Sequence, residues 1–388
     1  MIPVTDETGM EALRRQLRLD PRVIRRLRAT FLRSFSGQAA ALGTVPDASR
    51  ATVEGAVQFH ELDRVETLHS VLDGASKLVF KTLDGCRIES VLLRIKTGRS
   101  SVCVSSQTGC AAGCLFCATG RVKGVRNLTP VEILDQVVQA GEMLQAEGRR
   151  LRNVVFMGMG EPFHNTETLF AALEQLCSPG GFHLSDRHML VSTVGIPEGI
   201  RALSKRFPRV GLAVSLHSVR QAVRDELMPL TRRWPLAELR EAIEARNRIW
   251  SQPVMVEVLM LDGITDTPAD CAALQEWLAG LQVHVNLIPY NPVPSPGAEP
   301  MLAGRVLRGS GERRVGEFLA ELKRAGFKAT RRHSLGTDIR AACGQLAQHT
   351  AAPGLNSSPQ RHGDTEKKYN VAGIEAAEYR ILNSRNPS

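Results

Sequence analysis

The stretch CAAGCLFCATG, residues 110–120, holds three of the chain's eight cysteines, at spacings of four and three. A structural zinc site takes four protein ligands, and no further Cys or His follows this stretch within twenty residues. Cys103 lies seven residues upstream, on an expected strand, where it is badly placed to complete a tetrahedron. A cluster of four irons held by three thiolates keeps one iron open to a ligand that is not protein. An open iron can bind and reduce a substrate. The spacing therefore points to catalysis.

Working outward, SVCVSS (101–106) reads as the strand that feeds this loop. From there apolar strands and amphipathic helices alternate. The further strand candidates are NVVFMGM (153–159), HMLVSTVG (188–195), RVGLAVSLH (209–217), VMVEVLMLD (254–262) and HVNLIPYNP (284–292). Helical patterns such as PVEILDQVVQAGEML (130–144) and PLAELREAIEARNRIW (235–250) lie between them. Strands alternating with helices predict an α/β fold with a parallel sheet, a partial or complete (β/α) barrel. FKATRRHS (327–334) offers one more strand. Polar or glycine-bearing residues follow the strands at Gly158–Glu161, Ser192–Thr193, Ser215–His217 and Asn291, where a parallel barrel builds its active site.

Upstream, LVFKTLDGCRIESVLLRI (78–95) places two strand-like runs around Asp84-Gly85, a hairpin signal. Residues 1–75 read as a helical, basic accessory region, 76–348 as hairpin plus barrel core, and 349–388 as a polar, disordered tail. Residues 295–311 read as a loop insertion.

Bulk properties limit the function classes. At 388 residues, 43% hydrophobic and 23% charged, with mean hydropathy −0.13, the chain can bury a core without disulfides. No apolar run of membrane-spanning length and no signal-peptide pattern is found, so a cytoplasmic protein without membrane contact is expected. Uneven cysteine spacing argues against a secreted disulfide scaffold. The formal charge is +9, and eight arginines fall between Arg14 and Arg33. Such charge suits phosphate backbones or simply a solvated surface; charge alone leaves both open.

The motif C-x3-C-x2-C at a first barrel strand, with Phe116 before its last cysteine, resembles the radical S-adenosylmethionine superfamily. MGMGEP (157–162) resembles that superfamily's glycine-rich segment. More specifically, CVSSQTGC (103–110), VFMGMGEP (155–162), VSTVGIP (191–197), LAVSLH (212–217), NLIPYNPVP (286–294) and DIRAACGQL (338–346) together resemble the RlmN/Cfr family. The resemblance runs from about residue 70 to 348; the first seventy residues, the insertion and the tail depart from it.

This resemblance implies a radical S-adenosylmethionine methyltransferase acting on an adenine ring carbon of 23S ribosomal RNA, with tRNA as a second substrate. C2 is expected in preference to C8. The implied cofactors are a [4Fe–4S] cluster on Cys110, Cys114 and Cys117 and S-adenosylmethionine. The cofactor contacts fall on Gly160, Glu161, Ser192, Ser215, Leu216, His217 and Asn291. Cys343 is implied to carry a methyl group and then the RNA, Glu89 to remove the ring proton, and Cys103 to release the product by a transient disulfide with Cys343. Because the attacking form is a thiolate, Cys103 is expected near charge that favours ionisation. An electron donor such as flavodoxin or ferredoxin and a monomeric state complete the expectation. Cys86, Cys177 and Cys271 match no motif and read as structural. The alternative is a divergent radical enzyme acting on another RNA or a small molecule. A non-catalytic RNA-binding or zinc-binding module is a third reading, and one that gives Cys103 and Cys343 no task.

Overall fold

The computed structural model describes residues 1–95, 98–293, 299–302 and 304–346. The tail expected to be disordered, and residues 295–298 and 303 of the expected insertion, lie outside the described residues. What is described of that insertion includes a short antiparallel ribbon, Met301–Leu302 against Arg305–Val306.

A ten-stranded sheet dominates, and its spatial order is the chain order. The strands are β1 (Asp63–His69), β2 (Ala75–Lys81), β3 (Arg87–Arg94), β4 (Ser100–Cys103) and β5 (Leu151–Phe156). They continue as β6 (Met189–Thr193), β7 (Gly211–Ser215), β8 (Val254–Met260), β9 (Val283–Pro289) and β10 (Lys328–Arg331). β1 to β4 pair antiparallel, and β4 to β10 pair parallel. No pairing among the described residues joins β10 to β1, so the barrel is partial. The strand expected at FKATRRHS is β10, and the expected hairpin is β2–β3, turning where Gly85 takes φ +83°.

The N-terminal region differs from its helical reading. Four helices, α1 (Glu7–Gln16), α2 (Pro21–Arg28), α3 (Gly37–Leu42) and α4 (Asp47–Ala56), end before residue 57. The chain then forms β1, an exposed edge strand that extends the hairpin sheet. DRVETLH has no apolar alternation, because neither face of β1 is well buried, and strand patterning fails on such an edge.

Helix α5 (Pro130–Ala146) joins this region to the barrel. Its start is fixed by a capping box: Thr129 Oγ1 accepts from the Glu132 amide at 3.2 Å, and Glu132 Oε2 accepts from the Thr129 amide at 2.8 Å. Buried polar residues on α5 then work in two directions. Gln136 accepts from the Ser105 amide at 2.8 Å and donates to its carbonyl at 3.0 Å, holding the chain just beyond β4. Asp135 accepts from the amides of Glu61 and Leu62 at 2.9 and 2.8 Å and pairs with His60 Nδ1 at 2.8 Å. Gly141 provides a notch; a Cβ there would lie 2.3 Å from the Phe35 ring.

Burial works against the charged form of His60, but Asp135 and Glu142 outweigh it and raise its pKa to about 10. A raised histidine stabilises the fold fully below its ordinary value near 6.5, and that contribution is lost as pH rises toward 10. Asp135→Asn is therefore expected to cost about 3 kcal/mol and to flatten the dependence of stability on pH between 6.5 and 10. Urea midpoints across that range check both; an unchanged slope in the variant would remove the ion pair as its cause.

Candidate active site

A cleft of about 850 Å³, open to solvent, lies at the carboxyl ends of β5 to β9 and is bounded on one side by the cysteine loop. The parallel register sets what faces it. Ser215 pairs with Glu257 and Glu257 with Asn286, so these side chains share one face with Ser192, which pairs with Ala213. Leu190, Ala213 and Met255, with Val155 and Met157 packed against them, form a small apolar floor on that same side.

Cys110, Cys114 and Cys117 line the cleft. Their loop is docked by backbone bonds: Leu115 N donates to Leu227 O at 2.9 Å, and Leu230 N to Ala112 O at 3.4 Å. Burial pushes the Cys110 thiol up to about 12 and that of Cys114 well above its usual range, with neighbouring thiols adding to both. A bound cationic group would reverse these effects, because a metal-bound thiol is deprotonated. Three thiols are one short of the four protein ligands that a structural zinc site takes, whereas a four-iron cluster, in which each of three thiolates serves its own iron, suits this donor set.

The other expected residues divide. Gly160, Glu161, Ser192, Ser215 and His217 line the cleft. Gly160 has φ +106°, and a Cβ there would meet Gln107 at 2.7 Å, so close backbone approach demands glycine. Both oxygens of Glu161 accept backbone bonds, from Phe163 at 3.0 Å and Val194 at 2.8 Å. Burial nonetheless raises its pKa to about 7. His217 accepts from the Leu259 amide through Nδ1 at 3.2 Å. Burial, helped by Arg224, lowers its pKa to about 3, so the ring is neutral with its proton on Nε2. It meets the Phe116 ring edge-on at 4.8 Å.

Leu216 is fully buried; its amide donates to Glu257 O at 3.1 Å and its carbonyl accepts from Arg224 at 2.6 Å. Asn291 donates to the carbonyl of Cys343 at 3.1 Å, tying the Cys343 segment to the end of β9. That segment is also docked on the cysteine loop: Ala118 N donates to Gly344 O at 2.7 Å and Thr119 Oγ1 to Leu346 O at 2.6 Å. Gly344 takes φ +83°, with the Phe116 carbonyl only 3.1 Å from where a Cβ would sit.

Cys103 is buried in β4 close enough to interact with Cys343, and the two are not joined by a disulfide. The expectation that charge favours its ionisation needs correction. Burial pushes the Cys103 thiol up to about 12, Cys343 adds to this, and Arg332 opposes it without prevailing. Glu89 is completely buried on β3, and its side chain lies on the Cys103 face of the sheet, because Val91, two residues on, pairs with Cys103.

Three charged residues escaped sequence reasoning. Arg332 Nη1 pairs with Glu257 Oε1 at 3.0 Å inside the cleft, and Glu257 Oε2 accepts from Ser215 and Ser192 at 3.3 and 3.4 Å. Buried Arg224 donates to the carbonyls of Ser215 and Leu216 and to that of Val194. A carboxylate in the apolar run VMVEVLM was the visible signal for Glu257; nothing local marks the other two.

Comparison with known proteins fits this geometry. Residues 104–273 match the Radical SAM superfamily. A probable RNA methyltransferase of Rhodopirellula baltica is 48% identical over 87% of this chain and 85% of its own length. A probable dual-specificity RNA methyltransferase RlmN of Parafrankia sp. is 42% identical over 76% of this chain and 79% of its own. The chain belongs to the RlmN family of radical S-adenosylmethionine RNA methyltransferases. It is an enzyme, a methyltransferase. The crystal structure of a radical SAM methyltransferase from Sphaerobacter thermophilus superposes with TM-score 0.81 at 35% identity, covering 89% of this chain and 99% of that one. No helix among the described residues is long and apolar enough to cross a membrane.

If Asn291 anchors the Cys343 segment in this RlmN-family enzyme, Asn291→Ala should expose that cysteine. Alkylation of Cys343 by iodoacetamide, followed by mass spectrometry, is expected to accelerate several-fold. A wild-type rate would show that the amide does not restrain the segment.

Proposed function

We propose that this enzyme methylates a ring carbon of adenine in RNA, C2 in preference to C8, with 23S ribosomal RNA and tRNA as substrates, through a methylated cysteine. The observation that carries the reading is the docking of the Cys343 segment on the cysteine loop, beside Cys103. Adenine C2 and C8 are electron-poor carbons, so polar methyl transfer to them is disfavoured and a radical route is required.

In this reading Cys110, Cys114 and Cys117 hold a [4Fe–4S] cluster, and Gly160, Ser192, Ser215 and His217 contact S-adenosylmethionine in the cleft. Once bound and reduced by a donor such as flavodoxin or ferredoxin, that pair supplies a carbon radical able to take hydrogen from an S-methyl group. Cys343 carries the methyl group and, after the carbon joins the base, the RNA itself. Glu89 accepts the proton of the ring carbon. Cys103 attacks the Cys343 sulfur, forming a Cys–Cys disulfide as the bond from that sulfur to the RNA-bound methylene breaks, and the methylene takes up a proton to become the methyl group. Glu161 serves chiefly as a strut between the β5 and β6 loops, and Asn291 and Leu216 act through the backbone they hold.

The N-terminal arginines support an RNA substrate in part only. Arg18, Arg22, Arg25 and Arg26 are exposed and suited to phosphate. Arg28 is instead buried and donates to Val4 O, while Arg14 pairs with Glu11. We read residues 1–75 as an accessory region and the enzyme as a cytoplasmic monomer.

Replacing Cys110, Cys114 and Cys117 together with alanine is expected to abolish iron binding and deoxyadenosine formation; retained iron with full turnover would sink the cluster assignment. Cys103→Ala is expected to accumulate protein covalently attached to RNA, seen on denaturing gels as a ribonuclease-sensitive band, while Cys343→Ala shows none. Normal turnover by Cys103→Ala without an adduct would exclude release by disulfide. Mass mapping of methyladenine in ribosomal RNA and tRNA identifies carbon and substrate.

A further inference from the structure

Lys77 and Glu89 form a buried ion pair. Their side chains are 2% and 0% exposed, and Lys77 Nζ stands 3.8 Å from Glu89 Oε1. The pairing is written into the sheet: Lys77 lies opposite Val91 and Glu89 opposite Val79, so the two charges are diagonal neighbours on one face of β2–β3. Val91 is in turn opposite Cys103, which puts both on the side facing the reaction centre.

We propose that Lys77 is a positioning residue whose ammonium keeps Glu89 a carboxylate, ready to take the proton of the substrate's ring carbon. This rests on the reading of Glu89 as the base. A carboxyl group at zero exposure with no cation neutralises rather than stay charged. A neutral acid cannot serve as the acceptor. Lys77 pairs with it inside ASKLVFK, a strand buried at every position but the last. Burial lowers the pKa of Lys77; Glu89 and then Glu66 on β1 hold it up, and Arg340 on the Cys343 segment opposes them. Cys103 on β4 shares the face but is held protonated by burial. In the step itself the ring C–H bond breaks, its electron pair stays with the ring, and the proton forms an O–H bond on Glu89.

The direct test is infrared spectroscopy of the full-length protein at neutral pH, reading the C=O stretch of a protonated carboxyl. Glu161, with its pKa raised to about 7, gives a carboxyl band in every form; Lys77→Met should add a second band, absent from the wild type and lost again in the Lys77→Met, Glu89→Gln double variant. Lys77→Gln, equally neutral but polar, should show the same band. In methylation assays the acid limb of the rate profile should move up by about two pH units in both neutral variants, and Lys77→Arg should restore the wild-type profile. No second carboxyl band in either neutral variant, or a rate reduced equally at every pH, overturns the proposal. Full activity in Glu89→Gln would instead overturn the base assignment, a separate failure.

Discussion

Strand β4 is four residues long, yet the site depends on its two edges. One edge pairs antiparallel with the hairpin and the other parallel with β5, so β4 is where a hairpin sheet becomes a barrel wall. Because paired residues share a face, this junction puts Lys77, Glu89 and Cys103 on the same side as the residues of β6 to β9 that face the cleft. The chain leaving β4 then supplies the cysteine loop. Slipping β4 by one residue would turn Cys103 to the outer face and Val102 inward. The clamp on that register is Gln136, whose amide takes both the donor and the acceptor of Ser105.

The barrel interior holds more charge than stability alone favours. Glu257 and Arg332, Lys77 and Glu89, and Arg224 are all largely withdrawn from water. Buried ion pairs are often no more stabilising than apolar side chains of the same size, whereas losing one partner is costly. Arg224 reduces that cost by donating to carbonyls at the ends of β6 and β7, which also fixes where those strands stop. Burial still lowers its pKa to about 10, leaving it cationic beside the cysteine loop. Polar content of this kind, placed at strand ends in a parallel sheet, belongs to chemistry rather than to folding.

Much of this was legible in the sequence. The cysteine spacing, the strand and helix alternation and the turn at Gly85 each rest on local chemistry, and each appears where it was expected. Strand β1 was not legible, since an edge strand with both faces wet has no pattern to read. Charges buried in strands were visible as letters but not as partners: register across neighbouring strands decides that Lys77 meets Glu89 and that Arg332 meets Glu257. Asn291 shows the same limit in another form. Its position after β9 suggested a cofactor contact, and only the path of the distant Cys343 segment reveals a carbonyl within reach of its amide.

That path also bears on Cys103. A nucleophilic thiol is ordinarily placed beside a cation, and Arg332 is near, but burial dominates and the resting group is a thiol. Thiolate is the form that attacks sulfur, so a protonated Cys103 beside Cys343 is slow to oxidise and slow to displace. For a residue proposed to act last, this does no harm to the earlier steps. Before its carbon joins the base, Cys343 is a thiol or a methyl thioether, and neither sulfur carries a group that a thiolate could displace. Only the RNA adduct offers one, a carbanion delocalised into the electron-poor ring. Cys103 then has to lose its proton at that step alone, and the departing methylene takes one up to become the methyl group.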